Sequence, residues 1–450
     1  MSQLTQQARR QFLSAGTTLL ASALLPATQA RASAAPMFQG FPQGFLWGAA
    51  TAGHQVEGNN VSSDSWLLEN MQPTLFEEPS GDACDHYRLF SQDIGLLADL
   101  GLNTFRFSLE WARIEPEYGL FSNAQLDHYR QVLDACRARG IIPMVTFSHF
   151  TVPRWFAGRG GWEHADGPQL FARFCTTAAR ALGAGMGYAT TLNEPNLTRL
   201  LFGIPGLESS RLGTATDLKI LRLAGERCGT GRFSSWIFGS LEQIHQGLLN
   251  AHRLGYQAIK AERPGLPVGV SLAMTDDQAV TPEAIPMRER KRALAYQPWF
   301  ESINAGHADF IGVQSYSRSR IGPEGMLPPE PGMPLTDMGY EFYPEALEAV
   351  IRYTRSQVPV PIYVTENGVA TTDDTRRVEY IRRAVQGVAR CLQDTLDVRG
   401  YIHWSLLDNF EWLEGYKPRF GLVAVDRTTF ARTIKPSAHY LGQIARTGQV

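Results

Sequence analysis

The chain has 450 residues, of which 44% are hydrophobic and 19% are charged, so it is long enough to bury a large core. Its net charge of -2 gives no reason to expect nucleic acid or an anionic membrane as a partner. The five cysteines form no CxxC pair and lie in no zinc-type spacing, so we expect mostly small buried residues. No metal or organic cofactor is implied.

The first 35 residues have the pattern of an export signal. Arg9 and Arg10 precede an apolar stretch that ends at Leu25, and the small residues around Ala32 fit a cleavage site. The arginine pair favours the twin-arginine route. A transmembrane anchor is the alternative, but the apolar run is shorter than the ~20 residues that a span needs. The sequence therefore predicts a signal over residues 1–35, a domain over residues 36–450, and export to the periplasm.

Beyond this signal, short β-rich apolar runs alternate with amphipathic stretches, without a linker or repeat between them. Strand–helix alternation predicts a parallel sheet, and eight strands in one uninterrupted chain favour an α/β fold of the closed (β/α)8 TIM-barrel type. An open doubly wound sheet is the alternative, but no GxGxxG or P-loop motif supports it. The predicted strands span residues 44–51, 103–111, 141–150, 189–194, 267–274, 309–316, 361–366 and 400–407. The predicted helices span residues 85–100, 124–139, 170–182, 241–260, 290–305, 343–353 and 375–392.

Polar or aromatic side chains stand at or just beyond the ends of several predicted strands. In an α/β barrel all carboxyl ends of the strands meet on one face, so these side chains should converge on one pocket. They are Gln55, His149, Glu194, Tyr316, Glu366 and Trp404.

Two glutamates occupy matching positions at strand ends, each next to an asparagine. Glu194 stands in Thr-Leu-Asn-Glu-Pro at 191–195, and Glu366 in Thr-Glu-Asn-Gly at 365–368. A lone carboxylate there would be an ordinary solvated charge, but two that face each other suit cleavage of a glycosidic bond. One protonates the leaving oxygen, and the other, ionised, attacks the anomeric carbon or activates water.

Further motifs follow in a fixed order. They are Phe-Leu-Trp-Gly-Ala-Ala-Thr at 45–51, Gln-Val-Glu-Gly at 55–58, Asp-His-Tyr at 85–87, Arg-Phe-Ser at 106–108, His149 with Pro153, the two glutamate motifs, Trp-Ser-Leu-Leu-Asp-Asn-Phe-Glu-Trp at 404–412, and Arg-Phe-Gly-Leu at 419–422. With these motifs, the chain from about residue 41 to residue 444 resembles glycoside hydrolase family 1, the β-glucosidase family.

The resemblance implies a retaining mechanism through a glycosyl-enzyme intermediate. Glu194 matches the acid/base and Glu366 the nucleophile. Arg106 and Tyr316 match groups that flank the nucleophile, and a guanidinium there is expected to lower the nucleophile's pKa. The implied sugar-binding residues are Gln55, His149, Asn193, Tyr316, Trp404, Glu411 and Trp412.

The substrate implied is a small β-D-glucoside, with galactosides and fucosides as further candidates. Glu411 would repel a 6-phosphate, and relatives that cleave 6-phosphoglycosides carry Ser and Lys in this region. Relatives that cleave thioglucosides have Gln where this chain has Glu194, so ordinary O-glycosides are expected. Transglycosylation through the same intermediate, or sugar binding without turnover, are alternatives. The oligomeric state stays open.

Two segments depart from the family pattern. The sixth strand ends in Gln314-Ser315-Tyr316 where the family has Asn-Tyr-Tyr. The stretch from 201 to 234 lacks the family's His-Ala-Pro-Gly and is long and polar. Because loops on this face set leaving-group specificity, we expect an unusual leaving-group preference.

Overall fold

The computed structural model describes residues 40–202, 215–236 and 238–450. Within them, eight parallel strands close into a barrel in which each strand lies beside its neighbours in sequence and the last pairs with the first. The strands are Leu46–Ala50 (β1), Thr104–Ser108 (β2), Ile142–Ser148 (β3), Tyr188–Asn193 (β4), Val268–Ala273 (β5), Phe310–Gln314 (β6), Ile362–Asn367 (β7) and Val398–Trp404 (β8).

All eight predicted strands and the barrel are confirmed, and the open sheet is excluded. Helices join the strands, and the seven predicted amphipathic stretches all contain helix. The helices Ala215–Arg227 and Pro436–Thr447 were not predicted. The α-helices are Gly53–Val56, Asp64–Asn70, His86–Asp99, Trp111–Ile114, Asn123–Ala138, Arg154–Gly158, Gly167–Leu182, Leu197–Phe202, Ala215–Arg227, Leu241–Glu262, Ile285–Ala295, Gln297–Ser302, Ala346–Gln357, Asp374–Gln393 and Pro436–Thr447.

One predicted helix was wrong in its extent. The stretch 290–305 divides into Ile285–Ala295 and Gln297–Ser302. Pro298 lies in the first turn of the second helix, where its missing N–H is tolerated, whereas a proline inside one continuous helix would remove a backbone hydrogen bond. The break therefore follows from the proline.

Short elements complete the fold at the ends of the barrel. A hairpin pairs Val423–Val425 with Arg432–Ile434, and a small sheet joins Asp276–Ala279, Arg318–Gly322 and Gly325–Met326. Single turns of 3-10 helix occur at Gly161–Glu163, Gly183–Gly185, Pro282–Ala284 and Trp412–Glu414, and a π-helical turn at Ile303–His307.

Strand β2 illustrates how the sequence positions the site. Side chains alternate between the two faces of a strand, so Phe105 and Phe107 point one way and Arg106 the other. The two phenylalanines pack in the core between the barrel and its helices. Arg106 is fully buried and contacts Glu366 of β7, on another part of the barrel. The barrel interior thus holds a charged residue at its carboxyl end.

The five cysteines all lie within the described residues and are free thiols, and most of them are buried, as expected. Four are buried, and Cys228 is half-buried. Across residues 40–202, 215–236 and 238–450, no helix is long and apolar enough to cross a membrane. The predicted signal at 1–35 and residues 203–214 of the atypical stretch lie outside the described residues.

Candidate active site

The structure brings all ten predicted site residues to the carboxyl end of the barrel. Strands β3 and β4 end at Ser148 and Asn193, so His149 and Glu194 are the first residues beyond them. Glu194 adopts a left-handed backbone with φ of 44°, and its N–H donates to Ser271 O of β5 at 2.8 Å. This turn directs Glu194 away from the course of its own strand.

Glu366 is held by two donors. Arg106 Nη1 donates to its Oε1 at 2.6 Å, and the Tyr316 hydroxyl donates to its Oε2, also at 2.6 Å. Both Glu366 and Arg106 are buried. The carboxylate is therefore fixed by a charged and a neutral hydrogen bond at once.

Arg106 lowers the pKa of Glu366, as expected, but the net shift of that pKa is upward. Burial disfavours the ionised form and raises the pKa of Glu366, while the guanidinium and the Tyr316 hydroxyl oppose that rise. Their effect is to limit the rise rather than to reverse it. Burial, with the charge of Glu366 next, also raises the pKa of the Tyr316 hydroxyl well above its ordinary value, so Tyr316 stays a donor.

The surroundings of Glu194 are less favourable to a negative charge than those of Glu366. Burial, followed by the charge of Glu366, raises the pKa of Glu194 well above its ordinary value, and the charge of Glu411 adds to the rise. Arg106 opposes these effects. The pocket thus holds two carboxyl groups of different character. Glu194 favours its protonated form, and Glu366 is stabilised as an anion by the guanidinium of Arg106. Acid-assisted displacement at carbon requires such a pair.

A chain of side-chain hydrogen bonds connects Arg106 to the far side of the pocket. Arg106 Nη2 and Gln314 Nε2 donate to Asn193 Oδ1 at 2.6 and 2.8 Å. Asn193 Nδ2 lies 3.1 Å from His149 Nε2. Burial, assisted by the charge of Arg106, lowers the pKa of His149 well below its ordinary value, so the imidazole is neutral and can accept there.

Glu411 forms a third acidic position. Gln55 Nε2 donates to its Oε2 at 3.4 Å, and the Trp404 side chain also bonds to it. Burial and the charge of Glu366 raise the pKa of Glu411 to about 8, against the effect of these two hydrogen bonds. Near neutral pH the pocket therefore carries fewer negative charges than its three glutamates suggest.

Aromatic rings line the pocket. The His149 ring lies at 22° to Trp404 with centroids 5.6 Å apart, and at 15° to Trp412 with centroids 6.4 Å apart. Phe150 and Trp412 have positive φ of 70° and 52°, which side-chain-bearing residues seldom adopt. Such conformations persist where the surroundings hold them, and they often occur at functional sites.

Four residues at or beside this pocket were missed as site residues by sequence reasoning. Gln314 was noted only as a departure, and it bonds directly to Asn193. His54 stacks on Trp412, and Trp236 stacks on Phe150. Desolvation of the Tyr340 hydroxyl, followed by the charges of Glu411 and Glu194, raises the pKa of Tyr340. His54 stands one residue before Gln55 in the Gln-Val-Glu-Gly motif, which was its only signal, and Trp236 had none.

The described residues contain no group of three His, Cys, Asp or Glu side chains that could hold a metal ion.

A closed (β/α)8 barrel with two such carboxyl groups at its carboxyl end defines an O-glycoside hydrolase. The family comparison agrees. The chain belongs to glycosyl hydrolase family 1, whose sequence model matches residues 37–207 and 314–450.

Similar proteins cover most of the chain. A solved β-glucosidase, 1317, is 47% identical with a TM-score of 0.86 and covers 90% of this chain and 99% of its own. A solved β-glycosidase, BGL167, is 49% identical with a TM-score of 0.84 and covers 90% and 97%. A 1,4-β-D-glucan glucohydrolase from Thermotoga neapolitana is 29% identical and covers 90% of this chain and 98% of its own.

Proposed function

We propose that this protein is a retaining β-D-glucosidase that acts on unphosphorylated O-glycosides, with Glu194 as acid/base and Glu366 as nucleophile. The observation that carries this assignment is the unequal surroundings of the two carboxyl groups. Arg106 and Tyr316 both donate to Glu366, whereas no side chain in the described part of the chain donates to the Glu194 carboxyl group. Glu366 is thus the group better suited to stay ionised, and Glu194 the one better suited to keep a proton.

The reaction proceeds in two displacements. Glu366 attacks the anomeric carbon, while Glu194 gives its proton to the glycosidic oxygen as that bond breaks. Glu194, now ionised, removes a proton from water, and the water oxygen displaces Glu366. Each step inverts the anomeric carbon, so the released sugar keeps the β configuration.

Unpaired polar atoms support a sugar ligand. Gln55 Oε1 and His149 Nδ1 are buried and have no hydrogen-bond partner among the described residues. Buried polar groups in native proteins are nearly always paired, so hydroxyl groups of a bound sugar are suitable partners for them. Trp404 supplies an apolar face for the ring, and Asn193 an N–H for the 2-hydroxyl.

The choice of glucose and of a free 6-hydroxyl rests on two further points. The similar proteins include a solved β-glucosidase and a 1,4-β-D-glucan glucohydrolase. Glu194, Glu366 and Glu411 give the pocket three acidic side chains, and Glu411 lies beside Trp404 and Gln55. Glu366 is the carboxyl group held ionised, and its negative charge helps to keep the protons on Glu194 and Glu411. A dianionic phosphate would therefore add charge to a buried site that already disfavours a second anion.

The test is turnover of phenyl β-D-glucoside with the products followed by NMR. We expect β-glucose to form first, and Glu366→Gln to lose on the order of 10^4 in kcat while still binding the glucoside. The α-anomer as first product would contradict a retaining reaction, and wild-type rates in Glu366→Gln would contradict the nucleophile. If added methanol were consumed in preference to water throughout, transglycosylation would be the main activity.

We also propose that the protein is exported by a signal at residues 1–35. Support comes from Arg9 and Arg10, the apolar run to Leu25 and the small residues around Ala32. Sequencing the amino terminus of protein from the periplasm of the producing cell tests this. A chain that begins at Met1 would contradict it.

A further inference from the structure

Glu110 is a fully buried glutamate that accepts hydrogen bonds from two different loops of the barrel. It stands two residues beyond strand β2, just before the helix Trp111–Ile114. The nearest family motif, Arg-Phe-Ser at 106–108, ends before it. A carboxyl group taken out of water needs hydrogen-bond donors, because burial without them is costly. The donors of Glu110 come from the loops that carry two of the proposed sugar-binding side chains.

The first of these loops follows β1 and carries Gln55. His54 N donates to Glu110 Oε1 at 2.9 Å, and Asn60 Nδ2 donates to Glu110 Oε2 at 2.6 Å. A Cβ added to Gly53 would lie 2.6 Å from Glu110 Cγ, so the backbone at Gly53 packs directly against the glutamate side chain. Glu110 therefore holds the backbone that leads into Gln55.

The second loop follows β3 and carries His149. Thr151 Oγ1 donates to Glu110 Oε2 at 2.8 Å, and Thr151 N donates to His149 O at 2.9 Å, which closes a three-residue turn. Phe150, in the middle of this turn, has φ of 70°, which side-chain-bearing residues seldom adopt. Such a turn persists where neighbouring groups hold it, and the bond from Thr151 to Glu110 is one of those groups' contacts.

The backbone of Glu110 is itself fixed. Glu110 N donates to the Tyr129 hydroxyl oxygen at 3.0 Å, and that hydroxyl donates to Glu57 Oε1, also at 3.0 Å. Tyr129 belongs to helix Asn123–Ala138 and is buried. Both loops are thus tied to one side chain that is anchored from a third direction.

Glu110 does not need a permanent charge to accept these bonds. Burial, followed by the charge of Glu57, raises the pKa of Glu110 to about 7. A neutral carboxyl group still accepts through its carbonyl oxygen, and its hydroxyl group can donate to Thr151 Oγ1. The arrangement of the two loops therefore depends on the length and shape of this side chain more than on its charge.

We propose that Glu110 is a positioning residue for the sugar, because one carboxyl group holds the loop of Gln55 and the loop of His149 at a fixed separation. This inference rests on the proposed glycosidase function, in which Gln55 and His149 bind sugar hydroxyl groups. The hydroxyl groups of one sugar ring stand at fixed distances from each other, so the side chains that bind them need a fixed spacing too. Glu110 acts on the substrate through these two loops and does not touch it.

Two substitutions at Glu110 separate its shape from its charge. Glu110→Leu removes the acceptor, so we expect kcat/KM for phenyl β-D-glucoside to fall about tenfold or more, and 1-deoxynojirimycin to bind more weakly by a similar factor. Glu110→Gln should stay within about threefold of the wild type. Its amide oxygen accepts from His54 N, and its amide nitrogen faces Thr151 Oγ1 and the Asn60 amide. Asn60 Oδ1 is buried without a hydrogen-bond partner among the described residues and can turn to accept.

A double-mutant cycle distinguishes positioning from a general weakening of the fold. In a Gln55→Ala background one of the positioned contacts is already absent, so Glu110→Leu should cost about threefold rather than tenfold or more. Glu115→Leu is the matched control, because Glu115 is a buried glutamate after the same strand that binds Trp111 Nε1 at 2.9 Å and Gly119 N at 2.7 Å. It should lower the free energy of unfolding but leave kcat/KM within about twofold of its value in either background.

Thr151→Val is the second probe if Glu110→Leu fails to fold, since it removes the donor of one loop and keeps the shape of the side chain. It should lower kcat/KM about threefold, and this loss should disappear in a His149→Ala background. An unchanged kcat/KM in Glu110→Leu or Thr151→Val, or the same factor with and without Gln55, would overturn the positioning role while glucosidase activity stood. Failure of the wild-type protein to turn over phenyl β-D-glucoside would overturn the function itself.

Discussion

Gln314 Nε2 donates a 2.8 Å hydrogen bond to Oδ1 of Asn193. The same oxygen accepts from Arg106 Nη2 at 2.6 Å, so both of its lone pairs are used. The Asn193 amide nitrogen is thereby directed to the other side, where it lies 3.1 Å from His149 Nε2. These hydrogen bonds also orient the second N–H of the Asn193 amide. Gln314 is therefore a positioning residue for Asn193.

Gln314→Leu should lower kcat/KM for phenyl β-D-glucoside about tenfold. The loss corresponds to about 1–1.5 kcal/mol, the net value of one buried hydrogen bond that orients the Asn193 amide. For the 2-deoxyglucoside the loss should be much smaller, because that substrate has no 2-hydroxyl for Asn193 to bind. Steady-state kinetics with both substrates measure the difference.

Gln297→Leu is the matched control, since Gln297 is exposed on helix Gln297–Ser302. It should leave both substrates at wild-type rates. Equal losses on the glucoside and the 2-deoxyglucoside in Gln314→Leu would mean that Gln314 supports only the fold of the pocket.

Glu194→Ala should affect poor leaving groups far more than activated ones. Methyl β-D-glucoside needs a proton on its leaving oxygen, so its turnover should fall by on the order of 10²–10⁴. 2,4-Dinitrophenyl β-D-glucoside leaves without a proton, so its first step should change little, and azide should replace water in the second. Identical losses on both substrates would assign the acid/base to another residue.

The barrel and the positions of the two glutamates were predictable because both depend on short local patterns in the sequence. Each strand is an apolar run of a few residues, and the parallel barrel brings all strand ends to one face whatever the intervening lengths. The Glu-Pro and Glu-Asn-Gly steps mark strand ends directly. The positions of Glu194 and Glu366 were therefore confirmed, and their catalytic roles stay predictions.

What could not be predicted depends on contacts between distant residues. The pKa of Glu366 rises in net because the effect of burial exceeds the lowering effect of Arg106. A sequence motif does not indicate how deeply a side chain is buried. Trp236 stacks on Phe150, and its neighbour Ser235 bonds to Asp64, 171 residues away in sequence, which no local sequence pattern indicates. Gln314 replaced a family asparagine, and only the structure showed that its longer side chain reaches Asn193.

Glu411→Gln should move the alkaline limb of the pH profile of kcat/KM to lower pH. The negative charges of Glu366 and Glu411 both raise the pKa of Glu194. Removing one of them stabilises ionised Glu194, so the acid loses its proton at a lower pH. The same change should lower kcat/KM about 10- to 100-fold near neutral pH, because Glu411 is the proposed partner of sugar hydroxyl groups. If the alkaline limb of the kcat/KM profile stayed at the same pH or moved to higher pH, the charge of Glu411 would not raise the pKa of Glu194.

The ring of His54 lies behind Trp412. The two rings are nearly parallel, at 6°, with centroids 5.6 Å apart, and His54 Nε2 lies 3.3 Å from Glu69 Oε2. Burial alone would lower the pKa of His54, but the bond to Glu69 and the charges of Glu69, Glu110 and Asp64 raise it above 6.5 in net. Below pH 6.5 the full stabilisation by this pair is present, and it is lost as the pH rises through the pKa of the folded state.

His54→Phe keeps the ring on Trp412 and removes the cationic partner of Glu69, which still accepts a hydrogen bond from Ser80. It should lower the free energy of unfolding by about 3–5 kcal/mol at pH 6, because a buried carboxylate is left without its cation, and by clearly less at pH 9. Glu69→Gln removes the charge instead and should abolish the same difference between the two pH values. His54→Ala also removes the stack, so it alone should raise KM for the glucoside by loosening Trp412. Urea denaturation at both pH values measures the first effect, and an equal loss at pH 6 and pH 9 in His54→Phe would show that His54 is neutral in the folded protein.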